Sequence, residues 1–254
     1  MRLKYRLLST IVEPLTFIPI AEETGLIWDI GTWVLNEACR QTKYWHDQNF
    51  DCKPNISVNL SANQLRKNQF LDILDEAISA AGIESKYLKL ELTESILIEN
   101  NEELESLYSN LEKRNIDLAI DDFGTGYSSL AYLKDIPVTY LKIDKKFLDD
   151  IQLTGSDDAD ADALKILDAT IYLSYSLERT VIAEGIETEV QLKKMIELGC
   201  NLVQGYYLSK PVSSDAATDL LKSELYRHEG GVKICKIHYK AEYDIRNQLL
   251  KSGR

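Results

Sequence analysis

Short apolar runs recur along the chain, and each ends in carboxylate or amide side chains. In order they are Val58-Asn59-Leu60, Leu90-Glu91-Leu92-Thr93-Glu94, Ala119-Ile120-Asp121-Asp122, Leu141-Lys142-Ile143-Asp144, Val181-Ile182-Ala183-Glu184 and Leu202-Val203-Gln204. Length and alternation predict strands at 55–60, 87–92, 118–121, 140–143, 179–184 and 202–208. Segments of helical period separate them, at 62–80, 101–113, 128–135, 163–176 and 189–198. Two helices at 17–23 and 27–47 come first, and one at 214–226 comes last. The 27–47 helix is expected to turn Ile30, Trp33, Val34, Ala38 and Tyr44 toward one face. The 62–80 helix is expected to bury Leu65, Phe70, Leu71, Leu74 and Ile78, and Gly82 ends it.

Strands alternating with helices imply βαβ units around a mostly parallel sheet. No GxGxxG follows an early strand and no GxxxxGK[ST] occurs, which disfavours a dinucleotide fold and a P-loop. Polar residues closing many strands suit a TIM-like (β/α) barrel, whose site forms at the C-terminal rim. The acidic patch at 155–163 reads as a solvated loop or a frayed helix start. Beyond 226 the chain reads as a Gly turn, a stray strand near 232–239 and a polar end. The expected organisation is one domain over 1–226 and a C-terminal extension over 227–254.

Strand parity sorts the polar residues. Leu88, Leu90 and Leu92 share one face, and Lys89, Glu91 and Thr93 share the other. Likewise Leu118 and Ile120 oppose Ala119 and Asp121, and Leu141 and Ile143 oppose Lys142 and Asp144. The aliphatic set would face outer helices. Asn59, Glu91, Asp121, Lys142, Glu184 and Gln204 would then ring one cavity. Acids at the ends of buried strands cost several kcal/mol unless something pairs with them. Carboxylates with an amide oxygen, and without His or Cys, are hard ligands suited to Mg²⁺ or Mn²⁺. Asp121-Asp122 could serve two ions about 4 Å apart, an arrangement that activates water for phosphodiester cleavage.

Bulk properties narrow the partners. The 254 residues carry 41 Asp and Glu against 29 Lys and Arg, a net charge of −12. Duplex nucleic acid is therefore not an expected partner. The four cysteines, Cys39, Cys52, Cys200 and Cys235, form no CxxC pair, so they read as reduced thiols of a cytoplasmic protein. No run approaches a membrane-spanning length, and the first residues lack the features of a signal peptide.

The motifs resemble the EAL domain family of cyclic-di-GMP phosphodiesterases. Phe17-Ile-Pro-Ile-Ala-Glu-Glu-Thr-Gly25, Val58-Asn-Leu-Ser61, Glu91-Leu-Thr-Glu-Ser95 and Asp121-Asp-Phe-Gly-Thr-Gly-Tyr-Ser-Ser129 follow the family in order. Leu141-Lys-Ile-Asp144, Ala183-Glu-Gly-Ile-Glu187 and Gln204-Gly-Tyr206 complete the series, and the resemblance covers about 10–212. It implies metal-dependent hydrolysis of cyclic-di-GMP to linear pGpG, part of bacterial second-messenger signal transduction. It also implies two Mg²⁺ or Mn²⁺ ions. Asn59, Glu91, Asp121, Asp122 and Glu184 would be the metal ligands. Lys142 would contact the attacking water, and Glu184 and Glu187 would support the metals and proton transfer. Gln204 would lie close to them on the substrate side. Glu94 would anchor the loop that begins at Asp122. That loop, through Ser129, would carry a homodimer contact, and a sensory or GGDEF domain would lie upstream in a longer parent.

The departure is at the beginning. The resemblance makes Met1-Arg2 the tail of a Glu-Ala-Leu-x-Arg segment, with Arg2 as the substrate-holding arginine. The metal-ligating Glu of that motif is then missing, and Glu13 sits too close to Phe17 to replace it. An incomplete barrel without its first two strands follows, truncated at the N-terminus, with open edges at 55–60 and 202–208. Another chain segment, a domain-swapped partner or the 232–239 tail would cover them. Two function readings stand: an impaired phosphodiesterase, or a catalytically inactive module that binds cyclic-di-GMP or a protein.

Overall fold

The computed structural model describes residues 3–5, 10–12, 14–48, 50, 53–65, 69–94, 96, 102–124, 133, 136–149, 159–200, 202–222, 226–229 and 232–235. An antiparallel pair opens the fold, β1 (Leu3–Tyr5) with β2 (Thr10–Val12). Helices α1 (Pro14–Thr24) and α2 (Ile27–His46) follow. The central sheet then starts with β3 (Ile56–Asn59) and continues after α3 (Ala62–Leu65) and α4 (Phe70–Ala81) with β4 (Leu88–Thr93). Next come α5 (Glu102–Lys113), β5 (Asp117–Phe123), β6 (Tyr140–Ile143), α6 (Lys146–Asp149) and α7 (Ala159–Ser176). The last units are β7 (Thr180–Ala183), α8 (Glu189–Glu197), β8 (Leu202–Val203) and α9 (Ser214–Lys222). A hairpin of β9 (Tyr226–Glu229) and β10 (Val232–Cys235) comes after them.

The six strands β3 to β8 are parallel and adjacent in chain order. This is the incomplete (β/α) barrel that the alternation predicts. The aliphatic parity set is buried as expected: Leu88, Leu90, Leu92, Leu118, Ile120 and Leu141 join a cluster with α2, α4 and α5. Helix α4 buries Phe70, Leu74 and Ala77, with Leu71 and Ile78 packed beside them. Gly82 closes it in the left-handed conformation, donating to the Ile78 and Ser79 carbonyls.

The structure corrects several expectations. The inner stripe of α2 is Leu35, Ala38, Cys39, Thr42 and Trp45, and Tyr44 is exposed. Trp45 decides this, because its indole reaches across to α9 and donates to Thr218 Oγ1 at 2.9 Å. Thr218→Val should therefore cost about 1–3 kcal/mol in denaturant unfolding, since it strands a buried N–H. The 62–80 segment divides into α3 and α4. The final strand is far shorter than 202–208. After Gln204 the chain folds onto Ile186, whose N–H donates to the Gln204 carbonyl and whose carbonyl accepts from Tyr207 N. Among the described residues the tail does not extend the sheet. β10 lies near β8 but pairs with β9 in a separate two-stranded sheet. Among the described residues the outer edges of β3 and β8 have no ladder partner. No described helix is long and apolar enough to cross a membrane. The predicted 128–135 helix falls mostly outside the described residues. The acidic 155–163 patch is helical from Ala159 onward.

Candidate metal centre

Parallel pairing aligns the C-terminal ends of the strands. Asn59 is the ladder partner of Glu91, and Thr93 is the partner of Asp121. Glu184 and Gln204 continue the pattern one step beyond β7 and β8, through Glu184 N to Ile143 O at 3.0 Å and Gln204 N to Ala183 O at 2.7 Å. Six residues expected from parity therefore share the rim.

Lys142 is the hub. It is only 1% exposed, and its Nζ lies 2.9 Å from Glu91 Oε2, 2.9 Å from Asp121 Oδ1 and 2.6 Å from Glu184 Oε1. The first two contacts are aligned hydrogen bonds. The third is a close charge contact. Glu91 Oε2 also accepts from Asn59 Nδ2 at 3.0 Å.

Successive residues of a regular strand point to opposite faces, so Asp121 and Asp122 should diverge. They converge because β5 breaks register against β6 between Ile120 and Phe123. Asp122 takes φ of 58° there, a left-handed conformation that Asp tolerates better than most residues. One oxygen each from Asp121, Asp122 and Glu184 then lies within 4.8 Å of the others.

This crowding has an electrostatic signature. Burial pushes the Glu184 carboxyl up to about 7; Lys142 pulls it back, while Asp121 and Glu91 raise it further. Burial, then Asp121 and a hydrogen bond shared with Asp144, pushes Asp122 up to about 6. Charges this close ask for a proton or a cation. The donor set is all oxygen, and Gln204 Oε1 is buried without a hydrogen-bond partner. These residues fit a hard divalent cation.

The outer positions have separate anchors. Glu94 Oε2 accepts from Gly124 N at 2.9 Å, which ties the end of β4 to the start of the loop after β5. Gly124 has φ of 91°, and the Phe147 ring fills the space a side chain would need. Glu187 lies at the rim, half exposed, paired with Lys145 at 2.5 Å. Its N–H donates to Gln191 Oε1, and Gln191 and Thr188 form the capping box of α8. Gly205 lets this turn approach β8, since a Cβ there would fall on the Ile186 backbone. Gly205→Ala is expected to cost about 3 kcal/mol, read by chemical denaturation, because backbone cannot move aside as a side chain can. Arg2 and the loop from 125 to 129, with its proposed dimer contact, lie outside the described residues.

Three neighbours were not among the expected site residues. Asp144 shares a face with Lys142, a parity signal that could have included it. Lys145 follows Asp144, and its stem lies over Gly185. Lys89 is buried one step below Glu91. The thiols of Cys39 and Cys200 are buried, and burial raises them to about 12 and about 11. They remain protonated and have no part in the site.

A family model described as EAL domain matches residues 1–211. The bifunctional diguanylate cyclase/cyclic di-GMP phosphodiesterase MucR of Pseudomonas aeruginosa is 39% identical over 205 residues, covering 81% of this chain and 29% of its own length. The signaling protein YkoW of Bacillus subtilis is 39% identical over 199 residues, covering 78% of this chain and 24% of its own. The chain thus spans about a quarter of the length of these curated relatives. The solved structure described as the PaMucR phosphodiesterase in complex with c-di-GMP aligns with a TM-score of 0.75 at 38% identity, covering 83% of this chain and 82% of that one. On the strength of the domain match and these relatives, the chain belongs to the EAL domain family.

Proposed function

We propose that the chain hydrolyses one phosphodiester bond of cyclic-di-GMP to give linear pGpG, using Mg²⁺ or Mn²⁺. The observation that carries this is the convergence of Asp121, Asp122 and Glu184 around one point beside Lys142. A relative named as a cyclic-di-GMP phosphodiesterase, and a structural neighbour holding that nucleotide, supply the substrate class.

In this reading Asp121, Asp122 and Glu184 hold cations, with Glu91 and Asn59 completing the set. Bound divalent cations would acidify a coordinated water and neutralise charge on the phosphodiester. Lys142 fixes three carboxylates in one fan and offers positive charge where the attacking oxygen and the phosphoryl group meet. Glu184 and Glu187 are the groups to accept or return a proton. Gln204, with Arg2, is assigned to the nucleotide. Glu94 holds the loop after Asp122 in register with the carboxylates.

The rival reading is a nucleotide-binding module without turnover. The test is incubation with cyclic-di-GMP and Mn²⁺, then chelation. Product that stops with EDTA supports the enzyme; nucleotide bound at micromolar concentration and recovered intact supports the module.

A further inference from the structure

Asp122 joins the carboxylate cluster from a backbone conformation that few residues adopt. Its φ is 58°, and a non-glycine residue stays there only where its surroundings over-determine it. Three neighbours constrain the chain at this point. Phe123 is buried and is the ladder partner of Ile143 on β6. Glu94 Oε2 accepts from Gly124 N at 2.9 Å, from the β4 side. Phe147 of α6 is the third. A Cβ on Gly124 would lie 2.6 Å from its ring Cζ and 2.7 Å from Cε2, so the far edge of the ring rests on the glycine. Phe147 itself packs against the buried cluster that includes Ile143, Leu148 and Ile186. The turn that carries it is also tied to Asp122. Asp144 shares a hydrogen bond with Asp122. Its Oδ1 accepts from Lys146 N at 2.8 Å, and its carbonyl accepts from Phe147 N at 3.1 Å. The corner between β6 and α6 thus holds the exit of β5 at two points, Asp122 through Asp144 and Gly124 through Phe147.

We propose that Phe147 is a positioning residue of the metal centre: its ring holds Gly124 against the Glu94 carboxylate and so keeps Asp122 turned toward Asp121 and Glu184. The inference rests on reading the carboxylate cluster as a metal centre. Phe147 has no group that could hold a cation or move a proton, so it acts by shape. A rigid ring edge in contact with backbone leaves Gly124 no room to retreat from Glu94. Without that edge the left-handed turn at Asp122 can relax toward regular strand, where successive side chains point to opposite faces. The Asp122 carboxylate would then leave Asp121 and Glu184. Neighbours that orient metal ligands in this way change metal affinity by about 10- to 100-fold when removed.

The test replaces Phe147 by Leu, which keeps the apolar stem but lacks the far ring edge, and by Met, whose unbranched chain reaches about as far as that edge. Leu167→Val, in the same buried cluster on α7, controls for lost packing alone. Two readouts are taken on the full chain: Mn²⁺ titration without nucleotide, and hydrogen exchange of the Gly124 amide in EDTA. Phe147→Leu should bind Mn²⁺ about tenfold more weakly than wild type, and Phe147→Met should recover most of that loss. The Gly124 amide should exchange about tenfold faster in Phe147→Leu, while the amides of β4 and β6 keep their wild-type protection. Leu167→Val should lower the melting temperature and produce neither effect. Wild-type affinity or wild-type Gly124 exchange in Phe147→Leu overturns the proposal. So does an equal loss of affinity in Leu167→Val, because packing in general would then be the cause. Failure of both Phe147 variants to fold also overturns it, since the ring would then be a requirement of the core. Absence of Mn²⁺ binding by wild type would remove the metal centre itself, whereas normal wild-type binding with no change in Phe147→Leu removes this inference alone.

Discussion

Lys142→Ala is expected to destabilise the metal-free chain by about 3–5 kcal/mol, the cost of leaving buried charge without its partner. Three carboxylates lie within hydrogen-bond or ion-pair distance of this one ammonium. Removing it leaves them facing one another in a site where Glu184 already resists ionisation. Divalent cations should restore part of the loss, because they occupy the same negative field. Melting curves in EDTA and in Mn²⁺ read both effects. Turnover should fall more than nucleotide affinity, since Lys142 serves the reacting centre. Equal losses in both would mean that Lys142 only holds the nucleotide.

Glu184→Gln and Asp121→Asn are each expected to abolish hydrolysis, a loss of about a thousandfold or more, equivalent to about 4 kcal/mol of barrier. Each keeps the shape of the side chain and deletes a charge. Asp121 is shared between Lys142 and the oxygen cluster. Its amide would present an N–H₂ group to a cation or to the ammonium, or leave the remaining oxygen to serve only one of them. Glu184 joins the cluster with Oε1 held 2.6 Å from Lys142 Nζ. Its amide loses the proton-accepting group as well as the charge. Steady-state rates of pGpG release measure both variants, and wild-type turnover in either would refute the assigned roles.

Much of this site was legible from strand parity. Asn59, Glu91, Asp121 and Lys142 lie on the face that alternation assigned to them, because parallel strands with apolar residues against helices leave only one face for polar ones. Parity failed at Asp122. Its place in the cluster depends on a register break and a left-handed backbone, and no periodic pattern encodes either. The α2 stripe was misjudged because Trp45 pairs with Thr218, 173 residues away in sequence. The short β8 escaped for a similar reason. Leu202 to Leu208 alternates well enough for a strand, but Gly205 lets the chain fold onto Ile186 instead. Lys89 was visible as an inward residue, but its burial and its contact with Tyr140 are set by tertiary packing.

The central claim is that the acids closing β4, β5 and β7 form a metal centre that cleaves a cyclic dinucleotide. Chromatography of cyclic-di-GMP after incubation with the wild-type chain and Mn²⁺ tests it most directly. The account predicts linear pGpG, formed with Mn²⁺ and absent in EDTA. Complete recovery of the cyclic nucleotide at saturating Mn²⁺, by a folded chain that binds it, would contradict the account.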